Sequence, residues 1–215
     1  MALQNRVDPY GALRATAERG AWMGNRGVLH DASKRVVAAW RLPRWITCVL
    51  SWKDLRREVF APNRYSELFF LDEATSLSAG HRPCAECRRS RYVGFRAAWD
   101  AGMRGRDAPP RFLRADAIDR VLHAERLDRK GQKKTYRAVL SSLPDGTMVE
   151  HAGSPHLIWR GELRPWSFGG YGPGVDAAPD EEVDVLTPRS VVGAIRAGFM
   201  PQVAEKSAAL AEGDV

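Results

Sequence analysis

The sequence predicts an α+β fold. Segments of two-residue apolar alternation and segments of helical spacing both occur, without the regular strand–helix–strand order of a parallel α/β sheet. With 44% hydrophobic residues in 215, the chain also has enough apolar material for a sizeable core. The expected layout is a small module with a hairpin and short helices, then a mixed strand and helix second half, with no internal repeat.

In chain order, the segment 27–29 (GVL) reads as a strand ahead of His30. Over 44–60, RWITCVLSWKDLRREVF alternates Ile46, Cys48 and Leu50 with Trp45, Thr47, Val49 and Ser51, which predicts a hairpin. A short strand follows at 67–71, then a short helix over 72–80 with Asp72 as N-cap and Gly80 as the residue closing it. Pro83 punctuates a turn, and Tyr92, Phe95 and Trp99 at helical spacing place a second helix over 88–102. The Gly-, Pro- and Arg-rich stretch 102–111 marks a boundary. A helix over 115–127 turns Ile118, Val121 and Leu122 inward, and short strands with Pro-Asp-Gly and Gly turns fill 138–168. The stretch 169–182 reads as a mobile loop, 183–187 as a strand, and 188–199 as a helix opened by Pro188 and closed by Gly198. The tail from Ala204 is expected to fray, so the chain divides into 1–102, 103–203 and a flexible 204–215.

Thirty-three Lys and Arg against 26 Asp and Glu give a net charge of +7, which favours polyanionic partners. The first 16 residues lack the basic-then-apolar pattern of a signal peptide, and no stretch reaches the roughly 18 apolar residues of a membrane span. The expectation is a cytoplasmic protein that binds no membrane. Three cysteines then make a disulfide framework an unsuitable reading, and the thiols are expected to be reduced.

Cys84 and Cys87 form a C-x-x-C knuckle between two helices, in the run GHRPCAECRR. A redox dithiol belongs at a helix start after a strand, and Glu86 between the thiols opposes thiolate formation. Two thiolates on one turn suit a metal ion, with two more ligands supplied from elsewhere. Inert packing of two small side chains is the remaining reading, and it fits poorly with so many neighbouring charges.

The run LFFLDEATSLSAGHRPCAECRR resembles the second half of the Ada-like zinc-binding domain, the metal-binding domain of a DNA-repair protein, where a strand, a short helix ending in Ala-Gly and Arg-Pro-Cys-x-x-Cys follow in that order. MGNRGVLHD upstream resembles the Gly-Asn and His stretch of a wider set of such modules, so the resemblance spans about residues 22–92. It implies zinc (Zn2+) as cofactor, DNA as partner and a role in DNA repair, with Cys84 and Cys87 matching the second ligand pair. The family's first Cys-x-x-x-Cys pair has no counterpart here, so its methyl-acceptor reaction is not expected. His30, matching the histidine of the wider modules, ranks first as a further ligand. Cys48 fits core and ligand equally, Asp31 is a further option, and His81 suits a helix end or a phosphate contact better.

Residues 82–114 hold nine arginines against three acids, and 126–137 hold six cations against one. Two such runs beside the knuckle point to a phosphate-tracking surface, with Arg82, Arg88, Arg89, Arg91, Lys133 and Lys134 as contacts and Trp166 as a base-stacking aromatic. Two solvated faces are the alternative. Catalytic candidates are Asp119, His123 and Glu125, the first two four residues apart on one helix, where a surface pair is the plainer reading. The leading expectation is a zinc-stabilised DNA-binding protein of repair or genome maintenance. Its rivals are an enzyme acting on DNA or a modified base, such as a glycosylase or nuclease, and a protein-interaction scaffold.

Overall fold

The structure, a computed structural model, describes residues 2–53, 58–105 and 113–204. Those residues form an α+β fold of four α-helices and two six-stranded sheets. The first sheet takes β1 (Gln4–Val7), β2 (Leu13–Ala15), β3 (Trp22–Asn25), β4 (Ile46–Cys48), β5 (Leu68–Phe70) and β6 (Arg82–Pro83) in the order β2-β1-β5-β3-β4-β6. β3 runs antiparallel to β4 and β5, whereas β4 and β6 are parallel. No strand forms over the expected 27–29, and β3 instead ends at Asn25, two residues before it. β4 pairs with the earlier β3 and the distant β6 rather than with a hairpin partner within the described part of 49–60, and part of the expected hairpin, 54–57, lies outside the described residues.

Between the sheets lies α1 (Glu73–Ser78), all six residues of which are buried. Asp72 caps it as expected, accepting from the Thr75 N–H at 2.8 Å. Its other oxygen accepts from the Tyr171 hydroxyl at 2.8 Å and the Ala204 N–H at 3.0 Å, so one carboxylate ties the helix to the second sheet and to the chain's last described residue. The flexible tail expected over 204–215 otherwise lies outside the described residues.

α2 (Arg89–Arg104) runs two residues beyond its expected end, and 106–112, most of the expected boundary, lies outside the described residues. It packs on α4 (Arg189–Arg196) where glycine permits contact: a Cβ on Gly102 would lie 2.4 Å from the backbone of Gly193. α3 (Ala115–Arg126) joins them, and Leu77, Phe95, Trp99, Ile118, Leu122 and Val191 form one cluster drawn from all four helices. No helix among the described residues is long and apolar enough to cross a membrane.

The second sheet comprises β7 (Tyr136–Val139), β8 (Met148–His151), β9 (Ser154–Trp159), β10 (Glu162–Ser167), β11 (Gly170–Tyr171) and β12 (Glu182–Val185), in the order β11-β10-β9-β8-β12-β7. Ala152-Gly153 and Arg160-Gly161 make two of its tight hairpins, all four residues at positive φ, the twist that suits antiparallel neighbours. The loop expected at 169–182 is partly ordered by pairing: β11 lies along β10, and Val175 bridges Leu163.

Candidate metal centre

The register of the first sheet assembles the three cysteines. β4 and β6 pair with Thr47 opposite Pro83, and the Cys84 N–H donates to the Thr47 carbonyl at 2.9 Å, which brings Cys84 beside Cys48. The turn after β6 then returns Cys87 toward both. The three Sγ atoms lie within 4.8 Å of one another, a grouping that could hold a metal ion. Met23, Ile46, Tyr65 and Phe69 pack around them, and the Glu86 N–H donates to Cys84 Sγ at 3.5 Å. All three are free thiols.

Electrostatics divides the trio. A hydrogen bond from the Cys48 thiol, helped by the N–H groups of Glu86 and Cys87, lowers Cys84 to about 5, while the same bond and burial raise Cys48. Burial raises Cys87 as well. Cys84 is thus the thiol of the three whose deprotonation the surroundings favour.

His30, the first-ranked further ligand, is elsewhere. Its Nδ1 lies 2.6 Å from Ser66 Oγ, its Nε2 lies 3.2 Å from the Ala61 carbonyl, and its ring stacks on Phe60. Both nitrogens are used, so His30 stays outside the grouping, whereas Cys48, also a candidate ligand, joins Cys84 and Cys87. Asp31 instead holds its own turn through Ser33 and Arg35. His81 is wholly buried and accepts from Arg26 Nε at 3.2 Å.

Burial removes Arg82 and Arg88 from the expected phosphate contacts, and most of the others are engaged within the fold. Arg82 is 2% exposed and bound to Asp119, and Arg88 is 4% exposed and donates to Glu73 at 2.7 Å. Arg91 pairs with the same Glu73 and donates to the Met200 carbonyl. Lys133 donates to the Ser78 carbonyl, exposed Lys134 to the Ala124 carbonyl, and Trp166 Nε1 to Thr75 Oγ1, which turns its polar edge inward. Arg89 remains exposed, with no ion pair among the described residues. A run of like charges shows neither which members find a buried acid nor which find a carbonyl.

The catalytic candidates are likewise separated. Asp119 faces Arg82, while His123 lies 2.8 Å from an Arg126 nitrogen. Glu125 accepts from the N–H and hydroxyl of Ser190, at 3.0 and 2.6 Å, and so caps the start of α4.

Sequence reasoning missed a buried group of cations. α1 ends in the interior, where the carbonyls of Ser78 and Gly80 lack helical partners and accept from Lys133 and from Arg126 Nη1. The guanidinium carbons of Arg26 and Arg126 lie 3.9 and 3.8 Å from the Trp45 ring centroid. Burial holds Arg26 and Arg126 down to about 9 and Lys133 to about 7. Carbonyls and an aromatic face thus hold these cations, with no carboxylate in direct contact among the described residues.

Beside the cysteines opens a cleft of about 830 Å³. Cys84 and Glu86 line it together with Arg44, Arg89, Arg96 and Arg114, and the Arg82–Asp119 pair forms its back wall. Arg44, like Arg89, is exposed and has no ion pair among the described residues. No family model, curated protein or solved structure matches the chain.

Proposed function

We propose that the chain is a zinc-stabilised DNA-binding protein of the repair or genome-maintenance kind. The observation that carries the reading is the cysteine trio at the wall of an arginine-lined cleft. Thiolate sulfur selects zinc over hard cations such as magnesium or calcium. Zinc there would join β4, β6 and the start of α2 in a region whose strands are only two or three residues long. The backbone contacts pass from the buried arginines to Arg44 and Arg89, supported by the net charge of +7.

Duplex binding measured at several salt concentrations tests the DNA reading. Affinity is expected to fall steeply with salt, and Arg44→Ala with Arg89→Ala to reduce the slope of log K against log salt by about 0.9 per lost phosphate contact. Absence of binding at low salt, or a slope unmoved by both changes, would refute it.

A further inference from the structure

We propose that the fourth coordination position of the metal opens on the cleft and takes the sulfur of a small thiol that carries a carboxylate. This rests on the metal centre argued above and is independent of DNA binding. Zinc held by thiolates is four-coordinate, yet among the described residues no fourth His, Cys, Asp or Glu atom joins Cys48, Cys84 and Cys87. Cys48 and Cys84 share one apolar cluster with half-buried Cys87 against it, and of the three it is Cys84 that lines the cleft, so the cleft reaches the trio at Cys84.

Donor chemistry selects the ligand class. Three thiolates leave a divalent ion electron-rich and the centre with a net charge of −1. Sulfur suits such an ion better than a hard phosphate or carboxylate oxygen does. A fourth thiolate adds further negative charge, which requires cations close by. Arg44 and Arg89 line the same cleft and have no ion pair among the described residues. A carboxylate on the incoming thiol would meet their guanidinium forks in charge-assisted hydrogen bonds. The cleft's 830 Å³ lies within the range of small-molecule sites, roughly 300–1,000 Å³. In the binding step the thiol gives its proton to solvent and its sulfur donates a lone pair to the metal, with no oxidation or reduction.

Cobalt(II) in place of zinc makes the position visible. The sulfur-to-cobalt charge-transfer band in the near ultraviolet grows with the number of bound sulfurs. Titration with mercaptopropionate is expected to raise the band by about one third as three sulfurs become four. Arg89→Ala should weaken mercaptopropionate about tenfold and leave neutral mercaptoethanol unchanged. A band unmoved by mercaptopropionate on fully cobalt-loaded protein would overturn the proposal. So would a change in the visible bands with inorganic phosphate alone, which would assign the position to oxygen donors. Equal weakening of both thiols by Arg89→Ala would overturn the carboxylate contact. A missing charge-transfer band before any thiol is added would instead refute the metal centre itself.

Discussion

Arg82 donates to both carboxylate oxygens of Asp119, Nε to Oδ1 and Nη2 to Oδ2 at 2.8 Å each, with the two side chains 2% and 7% exposed. This fork joins β6 to α3 behind the cysteine turn, so the wall of the cleft depends on a contact 37 residues apart in sequence. Removing one member strands a buried charge. Asp119→Ala is expected to cost about 3–5 kcal/mol in urea unfolding, while Arg82→Met with Asp119→Leu should recover much of the loss. A single-variant cost under about 1 kcal/mol, the range of an exposed pair, would contradict the assignment.

Gly80 gives a second test. Its φ is +87°, and a Cβ there would lie 2.5 Å from Arg126 Cδ. Gly131 has φ +76° and nothing within 4 Å of its Cβ position. Gly131→Ala should therefore cost about 1 kcal/mol for backbone conformation alone, and Gly80→Ala a further 1–3 kcal/mol for crowding against the arginine. Equal costs would show that Arg126 does not press on this turn.

His81 sets a pH dependence. Burial, then the nearby charges of Arg26 and Arg126, hold it well below the ordinary imidazole range. Below about pH 6.5 the unfolded chain protonates this histidine and the native chain does not. The unfolded state then binds more protons, so this contribution is complete above about pH 6.5 and is lost as pH falls, by about 1.4 kcal/mol per pH unit. His81→Asn should flatten the fall relative to the parent chain, with His123 and His156, also lowered by burial, leaving a residual slope. Parallel pH profiles for the two chains would remove His81 from the account.

Local signals carried much of the fold. Asp72 and Gly80 bracket α1 because a capping carboxylate and a positive-φ glycine act on their own neighbours. Tyr92, Phe95 and Trp99 identified the buried face of α2 by spacing alone. The candidate metal site was partly legible: Cys84 and Cys87 share a turn, whereas Cys48, which the sequence fits equally to core and ligand, joins them through strand pairing that no local pattern encodes. His30 failed for the same reason, since its partners Ser66 and Phe60 lie some thirty residues away and only the fold reveals them. The arginine runs misled because burial of a cation depends on a distant partner: Asp119 for Arg82, Glu73 for Arg88, and the end of α1 for Arg126.

Zinc content per chain, measured by elemental analysis on the purified protein and on Cys48→Ser, Cys87→Ser and His30→Ala, tests the central claim most directly. Cys48, Cys84 and Cys87 share one grouping, and His30 is spent on Ser66 and the Ala61 carbonyl. The expected result is about one zinc per chain in the parent and in His30→Ala, with loss of most of it in either cysteine variant. Zinc that survives Cys48→Ser, or that His30→Ala alone removes from a folded chain, would contradict the site.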